Sequence, residues 1–256
     1  MNFKHVIYQP DNDIVTISID RPDCRNAVDP ATARELKQAF LRFDEDKQLK
    51  VAVFTGTRGT FCAGADLKAV AGNSLDVNDV QLGPMGPSSL LLSKPVIAAI
   101  EGHAVAGGLE LAMWCDLRVA AHDAVFGVFC RRWGVPLVDG GTIRLSRSLG
   151  HSHALDLILT GRPVSGDEAQ RMGLANRLVE PGTALEHSQQ LAGQIAAFPQ
   201  QCMRADRLSS YQQWDKPFEQ AFVDEFEGGL EVIRSGETLD GASRFASGAG
   251  RHGQFD

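Results

Sequence analysis

The stretch GHAVAGGLELA, residues Gly102–Ala112, joins a short apolar strand to an apolar helical run through the Gly107–Gly108 pair. About forty residues upstream, FCAGADLK (Phe61–Lys68) reads as a strand end followed by a tight loop. Small residues at both places leave backbone N–H groups uncovered by side chains. Two such donors converging on one point would form an oxyanion hole, which stabilises charge developing on a carbonyl oxygen. The second donor would also lie at a helix N-terminus, where the dipole favours negative charge. Glu110 follows Gly107 by three residues and shares its face of the first turn.

Outward from these motifs, strands and helices alternate. Val15, Ile17 and Ile19 alternate with Thr16 and Ser18 as a half-buried strand. Asp29 is placed to cap a helix with Pro30 at its first position, and Leu36, Phe40 and Phe43 mark its apolar face. KVAVFTG, PVIAAIEG, DLRVAA and ANRLVE read as further strands. Helices are expected over Thr142–Leu149, over HALDLILTG, after a Ser165 cap, and from Thr183 to Ala197. Residues 71–89 are rich in turn formers and are expected to be a mobile loop. The pattern gives an α/β core over residues 1–195 and a helical portion with a tail over 196–256. The closing DGASRFASGAGRHGQF reads either as a frayed end or as a docked tail.

Composition narrows the function classes. The chain has 256 residues, 43% hydrophobic and 22% charged, which is ordinary for a globular protein with a sizeable core. A net charge of −7 with no basic block argues against nucleic acid as a partner. No stretch reaches the ~18 apolar residues of a membrane span, and MNFKHVIYQPDND lacks the apolar core of a signal peptide. Five scattered cysteines without a CxxC pair suggest reduced thiols and a cytoplasmic setting. There is no Walker loop, GxGxxG or HExxH motif, and the histidines are too dispersed for a metal cluster.

These segments resemble the crotonase superfamily, the enoyl-CoA hydratase/isomerase family. The likeness runs through KPVIAAIEGHAVAGGLELAMWCDLRVAAHDAVFG and GGTIRLSRSLG to LTGRPVSGDEAQRMGLANRLV, covering roughly residues 5–200. It implies a spiral of repeated ββα units with C-terminal helices that mediate a homotrimer or a dimer of trimers. It also implies an acyl-CoA thioester substrate, with no cofactor beyond the coenzyme A of that substrate. Ala65 and Gly107 match the oxyanion-hole positions, and Glu110 matches a catalytic glutamate. Arg25, Ala27, Ala63, Asp66, Leu67 and Lys68 fall where the family holds coenzyme A. The implied reaction is reversible hydration of a 2-enoyl-CoA to a 3-hydroxyacyl-CoA. Double-bond isomerisation and acyl-CoA binding without turnover are the alternatives.

One position departs from the pattern. Where the two-glutamate hydratases carry FGxPE, this chain has FGVFC, which puts Cys130 at the second carboxylate position. A thiol with a reference pKa of ~8.5 is no substitute for a carboxylate, and a small apolar filler is the simpler reading. Asp139, in PLVDGGT, either takes over the second acid/base role or caps the helix that follows. Glu110 has few polar neighbours on its helix, so burial would raise its pKa into the range useful for proton transfer. Arg131 and Arg132 read as surface cations or as a grip for a polar acyl group, and Lys68 and Lys94 as candidate phosphate contacts. His103 is the histidine next to the second motif.

Overall fold

The computed structural model describes residues 3–72 and 83–250. The chain divides into two compact units, Met1–Gly193 and Gln194–Asp256.

The first unit is built on strands β1 (Val6–Asp11), β2 (Ile14–Ile19) and β3 (Val51–Gly56), with helix α1 (Pro30–Glu45) between the last two. The first motif leads into α2 (Leu67–Ala71). Then follow β4 (Val96–Ile100), β5 (His103–Val105) and α3 (Gly107–Trp114), and after them β6 (Leu117–Ala121) and β7 (Val125–Gly127). Beyond lie α4 (Gly141–Leu149), α5 (His151–Thr160), β8 (Val164–Ser165), α6 (Gly166–Arg171), β9 (Arg177–Val179) and α7 (Ala184–Ala197). A six-stranded sheet has the order β1-β2-β3-β4-β6-β9, and a three-stranded sheet the order β5-β7-β8. In the first sheet β1 runs antiparallel to β2 and the remaining pairs are parallel.

This is the spiral of ββα units that the resemblance implies. Strand β4 lies in the large sheet, its successor β5 in the small one, and α3 follows; β6, β7 and α4 repeat the path. The first motif joins the small sheet through a parallel bridge between Cys62 and Ala104. Strands buried on both faces read as continuous apolar runs, which is why KVAVFTG and PVIAAIEG carry no alternation.

Helix α1 shows how sequence positions the site. Asp29 accepts the Thr32 amide at 2.8 Å, the expected cap, with Pro30 in the first turn. Its buried stripe of Ala33, Leu36, Ala39, Phe40 and Phe43 follows the helical period. Phe40 meets Phe54 of β3 and Trp114 of α3 edge-on, with ring centroids 5.2 and 4.7 Å apart. Phe54 meets Phe61 of the first motif at 5.2 Å. This aromatic chain ties α1, β3, the first motif and the end of α3 into one core.

The structure alters several expectations. Residues 73–82 of the anticipated loop lie outside the described residues, but 83–89 contain buried Met85, Pro87 and Ser88. Of the Gly/Ala/Ser-rich tail, Glu237–Ala246 covers the start as a helix, and 251–256 lie outside the described residues. The short strands β5, β7 and β8 have too few residues to show a period. Lys94 is no phosphate contact: it is buried, and its Nζ donates to the Phe43 carbonyl at 2.8 Å and to the Asp46 carbonyl. It therefore closes the C-terminal end of α1, where a cation suits free carbonyls.

The second unit contains α8 (Gln200–Gln212), α9 (Phe218–Arg234) and α10 (Glu237–Ala246), with α8 packed against α9. Phe218, Phe222 and Phe226, four residues apart on α9, are all exposed.

Lys94→Met should leave the two carbonyls without this buried donor. We expect a loss of about 2 kcal/mol or more in urea unfolding; an unchanged midpoint and slope would show that the lysine does not hold α1.

Candidate active site

The two motifs are fastened to each other by backbone pairing. Cys62 donates its amide to the His103 carbonyl at 2.9 Å and accepts the Val105 amide at 3.1 Å. The approach is close enough to require small residues. A Cβ on Gly108 would sit 2.1 Å from the Cys62 carbonyl oxygen, and one on Gly64 2.8 Å from the Ala106 Cβ and 3.0 Å from the Gly107 nitrogen. Gly64 also has φ +98°. Ala106, at the N-cap of α3, takes φ 53° and ψ −125°, a strained conformation for a residue with a Cβ. That kink turns β5 abruptly into α3.

Ala65 forms a parallel bridge with Val28: the Val28 amide donates to the Gly64 carbonyl and the Asp66 amide to the Val28 carbonyl, each at 2.8 Å. In this pattern the N–H of Ala65 itself points away from Val28. Gly107 is the first residue of α3, so its N–H has no carbonyl one turn back. Among the described residues, neither amide donates to a protein acceptor. Both residues line a cavity of about 790 Å³.

Glu110 and Asp139 line the same cavity and are buried, with 3% and 5% of their surface exposed. Helix α3 is buried on every side, so the Glu110 carboxyl must find donors inside the protein. Its Oε1 accepts the amides of Asp139 and Gly141, each at 2.9 Å. Gly141 opens α4, so Glu110 satisfies the start of that helix from a neighbouring element. Oε2 has no protein partner among the described residues. Burial, and next the charge of Asp139, push the Glu110 pKa up to about 7; the two amides and Arg144 act in the opposite direction.

Asp139 does not cap α4. The N-cap residue is Gly140 in a left-handed conformation, and no side chain caps it. The Asp139 carboxyl turns instead to residues 83–89: Oδ1 accepts the Met85 amide at 3.0 Å and the Ser88 hydroxyl. Arg144 donates to the carbonyls of Asp139 and Ser88, both at 2.7 Å. Burial raises the Asp139 pKa, while Ser88, the Met85 amide and Arg144 restrain the rise. Met85 in turn presses on the start of α3: a Cβ on Gly107 would lie 2.6 Å from its Sδ. Neither Met85, Ser88 nor Arg144 was marked by sequence reasoning; the turn-forming Gly83-Pro84 and Gly86-Pro87 pairs around Met85 were the available signal.

Cys130 lies in the 3-10 turn Phe129–Trp133, on the cavity wall and buried. Burial, then the Glu110 charge, raises its pKa, which favours the neutral thiol. Arg25, Ala63 and Leu67 line the cavity, as does His103. Ala27, Asp66 and Lys68 are not on its wall. Asp66 pairs with Arg21 at 3.1 Å and accepts the Lys68 amide, and the Ala27 carbonyl accepts from Arg21, so these residues shape the loops that present the others. Asn26, fully buried, donates to the Thr57 and Thr60 carbonyls at 2.9 and 2.6 Å and fastens the turn carrying Arg25. Of the ten residues expected here as oxyanion donors, catalytic groups or coenzyme A contacts, seven share the one cavity, namely Arg25, Ala63, Ala65, Leu67, Gly107, Glu110 and Asp139, and Ala27, Asp66 and Lys68 do not. Among the described residues, no group of three or more acidic, His or Cys side chains is placed to hold a metal, and no helix is long and apolar enough to cross a membrane.

A family profile described as "Enoyl-CoA hydratase/isomerase" matches residues 9–229. Enoyl-CoA hydratase EchA19 of Mycobacterium tuberculosis H37Rv is 36% identical over 238 residues, which cover 90% of this chain and 89% of that protein. Carnitinyl-CoA dehydratase of Proteus mirabilis is 39% identical over 186 residues, covering 72% of this chain and 71% of that one. The crystal structure of enoyl-CoA hydratase EchA1 from Mycobacterium marinum superposes with a TM-score of 0.90 at 35% identity, covering 95% and 96% of the two chains.

The raised Glu110 pKa has a signed effect on stability. Unfolding returns the carboxyl from about 7 towards its ordinary 4.5, so folding is penalised once pH rises through that interval. Glu110→Gln keeps an oxygen for both amides and has no charge to bury. Between pH 4 and pH 8 the variant should gain about 3 kcal/mol relative to the unmodified protein in urea unfolding. A pH-independent difference would show that Glu110 titrates normally.

Proposed function

Because the chain belongs to the enoyl-CoA hydratase/isomerase family, we propose that it is a hydratase-type lyase that reversibly adds water to a 2-enoyl-CoA, giving the 3-hydroxyacyl-CoA. The observation that carries this reading is the pair of undonated amides, Ala65 and Gly107, facing one cavity with a carboxyl whose pKa is pushed up to about 7. The thioester oxygen would accept both amides, which polarises the carbonyl and stabilises the enolate formed in the reaction, aided by the positive end of α3.

Addition of water needs one group to take a proton from the water and one to give a proton to C2 as the water oxygen bonds to C3. Glu110 and Asp139 would serve as this pair. Burial raises both carboxyls and the Asp139 charge raises Glu110 further, so the pair is poised to exchange a proton more readily than two solvated carboxylates would be. Oε2 of Glu110, the oxygen without a protein partner, is the one able to meet water. Cys130, neutral and apolar in character, would take no part in the proton transfers. Arg25, Ala63 and Leu67 would contact the coenzyme A portion, and no cofactor beyond it is invoked. The exposed phenylalanine stripe of α9 supports self-assembly as a homotrimer or dimer of trimers, and five free cysteines support a reducing, cytoplasmic setting.

Incubation with crotonyl-CoA in ¹⁸O-labelled and deuterated water, followed by mass analysis of the acyl group, tests the reaction. Oxygen incorporation at C3 is expected. Exchange of α- or γ-hydrogens alone would identify a double-bond isomerase, and no change a binding protein. Glu110→Gln should lower the rate by ~10²–10⁴-fold while acyl-CoA affinity stays within a few-fold.

Asp139→Asn removes the anion that helps to raise Glu110 and one member of the acid/base pair. The rate should fall by ~10² or more, and the residual kcat/KM should show its ionisation near neutrality moved to lower pH. An unchanged rate and pH profile would remove Asp139 from the mechanism.

A further inference from the structure

The wall of the cavity that carries Cys130 also carries Arg132, two residues further along the same 3-10 turn. Its guanidinium lies over the Phe129 ring, 4.0 Å from the centroid, and donates from NH2 to the Gly161 carbonyl at 3.0 Å. Among the described residues it has no acidic partner. Four other arginines of the fold are committed. Arg21 pairs with Asp29 and Asp66, Arg162 with Asp156 and Glu168, and Arg118 and Arg144 donate to main-chain carbonyls inside the protein. Arg132, exposed at the edge of the cavity, is thus stacked and oriented by two contacts and keeps donors free for a ligand.

A guanidinium fixed this way is suited to a planar oxyanion, which it can grip through two parallel N–H groups. Two parts of an acyl-CoA carry oxyanions: the phosphates and, in some substrates, a carboxylate at the far end of the acyl chain. Position separates them. Arg132 and Asp139 belong to one cavity-lining segment, whose Asp139 amide donates to Glu110 at 2.9 Å, so the arginine is on the wall that leads to the reacting end. The other arginine lining the cavity, Arg25, stands beside the first motif, where its carbonyl accepts the Ala63 amide at 3.1 Å.

We propose that Arg132 is a specificity-determining residue that binds the terminal carboxylate of a 2-enoyl-CoA whose acyl group is a dicarboxylic acid monothioester. The inference rests on the hydratase reading above and deepens it by naming the substrate class. The neighbouring Phe129 ring, together with Val135 and Pro136 on the same wall, supplies the apolar surface along which the intervening methylenes lie.

The test compares (E)-glutaconyl-CoA with crotonyl-CoA and (E)-2-hexenedioyl-CoA with 2-hexenoyl-CoA, in the unmodified protein and in Arg132→Gln. Arg132→Gln should lower the ratio of kcat/KM for acidic over neutral substrate at least tenfold in one of the pairs. Arg132→Lys, which keeps the charge and loses the fork, should fall between the two. A ratio unchanged within twofold in both pairs overturns the proposal; an equal loss on acidic and neutral substrates has that outcome and assigns the arginine to coenzyme A or to folding. Calorimetric affinities for the saturated analogues glutaryl-CoA and adipyl-CoA against butyryl-CoA and hexanoyl-CoA, which need no turnover, keep the two readings separate. A preference for the acidic analogues that depends on Arg132 upholds the subsite even if no hydration is detected. Its absence overturns the subsite even if hydration proceeds.

Discussion

A single carboxyl oxygen organises the centre of this structure. Glu110 projects from a helix that is buried on all sides, and its Oε1 meets that burial by accepting the amides of Asp139 and Gly141. The contact leaves no room for a side chain at 141, where a Cβ would come within 2.8 Å of Oε1. It also fixes the direction of Asp139: with its amide held by Glu110, its carboxyl turns to the Met85 amide and the Ser88 hydroxyl. The segment so anchored brings the Met85 side chain against Gly107. One hydrogen-bonded oxygen therefore sets the start of α4, the orientation of the second carboxyl and the packing beside the Gly107 amide.

The electrostatics follow from the same geometry. Amides directed at Oε1 favour the ionised form of Glu110, yet burial and the nearby Asp139 outweigh them, and the balance comes out close to neutral pH. With both lone pairs of Oε1 engaged, a proton on this carboxyl has Oε2 as its seat. The two oxygens of one side chain are thereby unlike: one holds the fold together and the other faces no protein donor among the described residues.

How much of this was legible in the sequence depended on whether a signal was local. The Asp29 cap, the α1 stripe and the apolar runs of β3, β4 and β6 are all set by neighbours within a few residues, and they appear as read. The small residues of the two motifs were visible, and resemblance supplied the reason for them; the main-chain pairing of Cys62 with His103 and Val105 explains it physically. What escaped were contacts spanning 50 residues or so, such as Ser88 with Asp139 and Lys94 with the end of α1. Asp139 was misread as a possible cap because it stands just ahead of a helix, where capping statistics apply; a glycine in a left-handed conformation had already closed that position. The lysine was misread because a charge is expected in solvent, whereas here two carbonyls replace the water.

The cysteine at position 130 makes sense within this charge balance. Its sulfur lies within the field of Glu110, and Glu110 already shares the cavity with Asp139. A carboxylate at 130 would put a third buried acid against two that already repel, and like charges in a site of low polarity drive one another to hold protons. A neutral thiol adds no charge to the two carboxyls already there. The second acid of the cavity stands in the loop before α4, where Ser88, Met85 and Arg144 restrain its pKa, and the 3-10 turn contributes a neutral thiol instead.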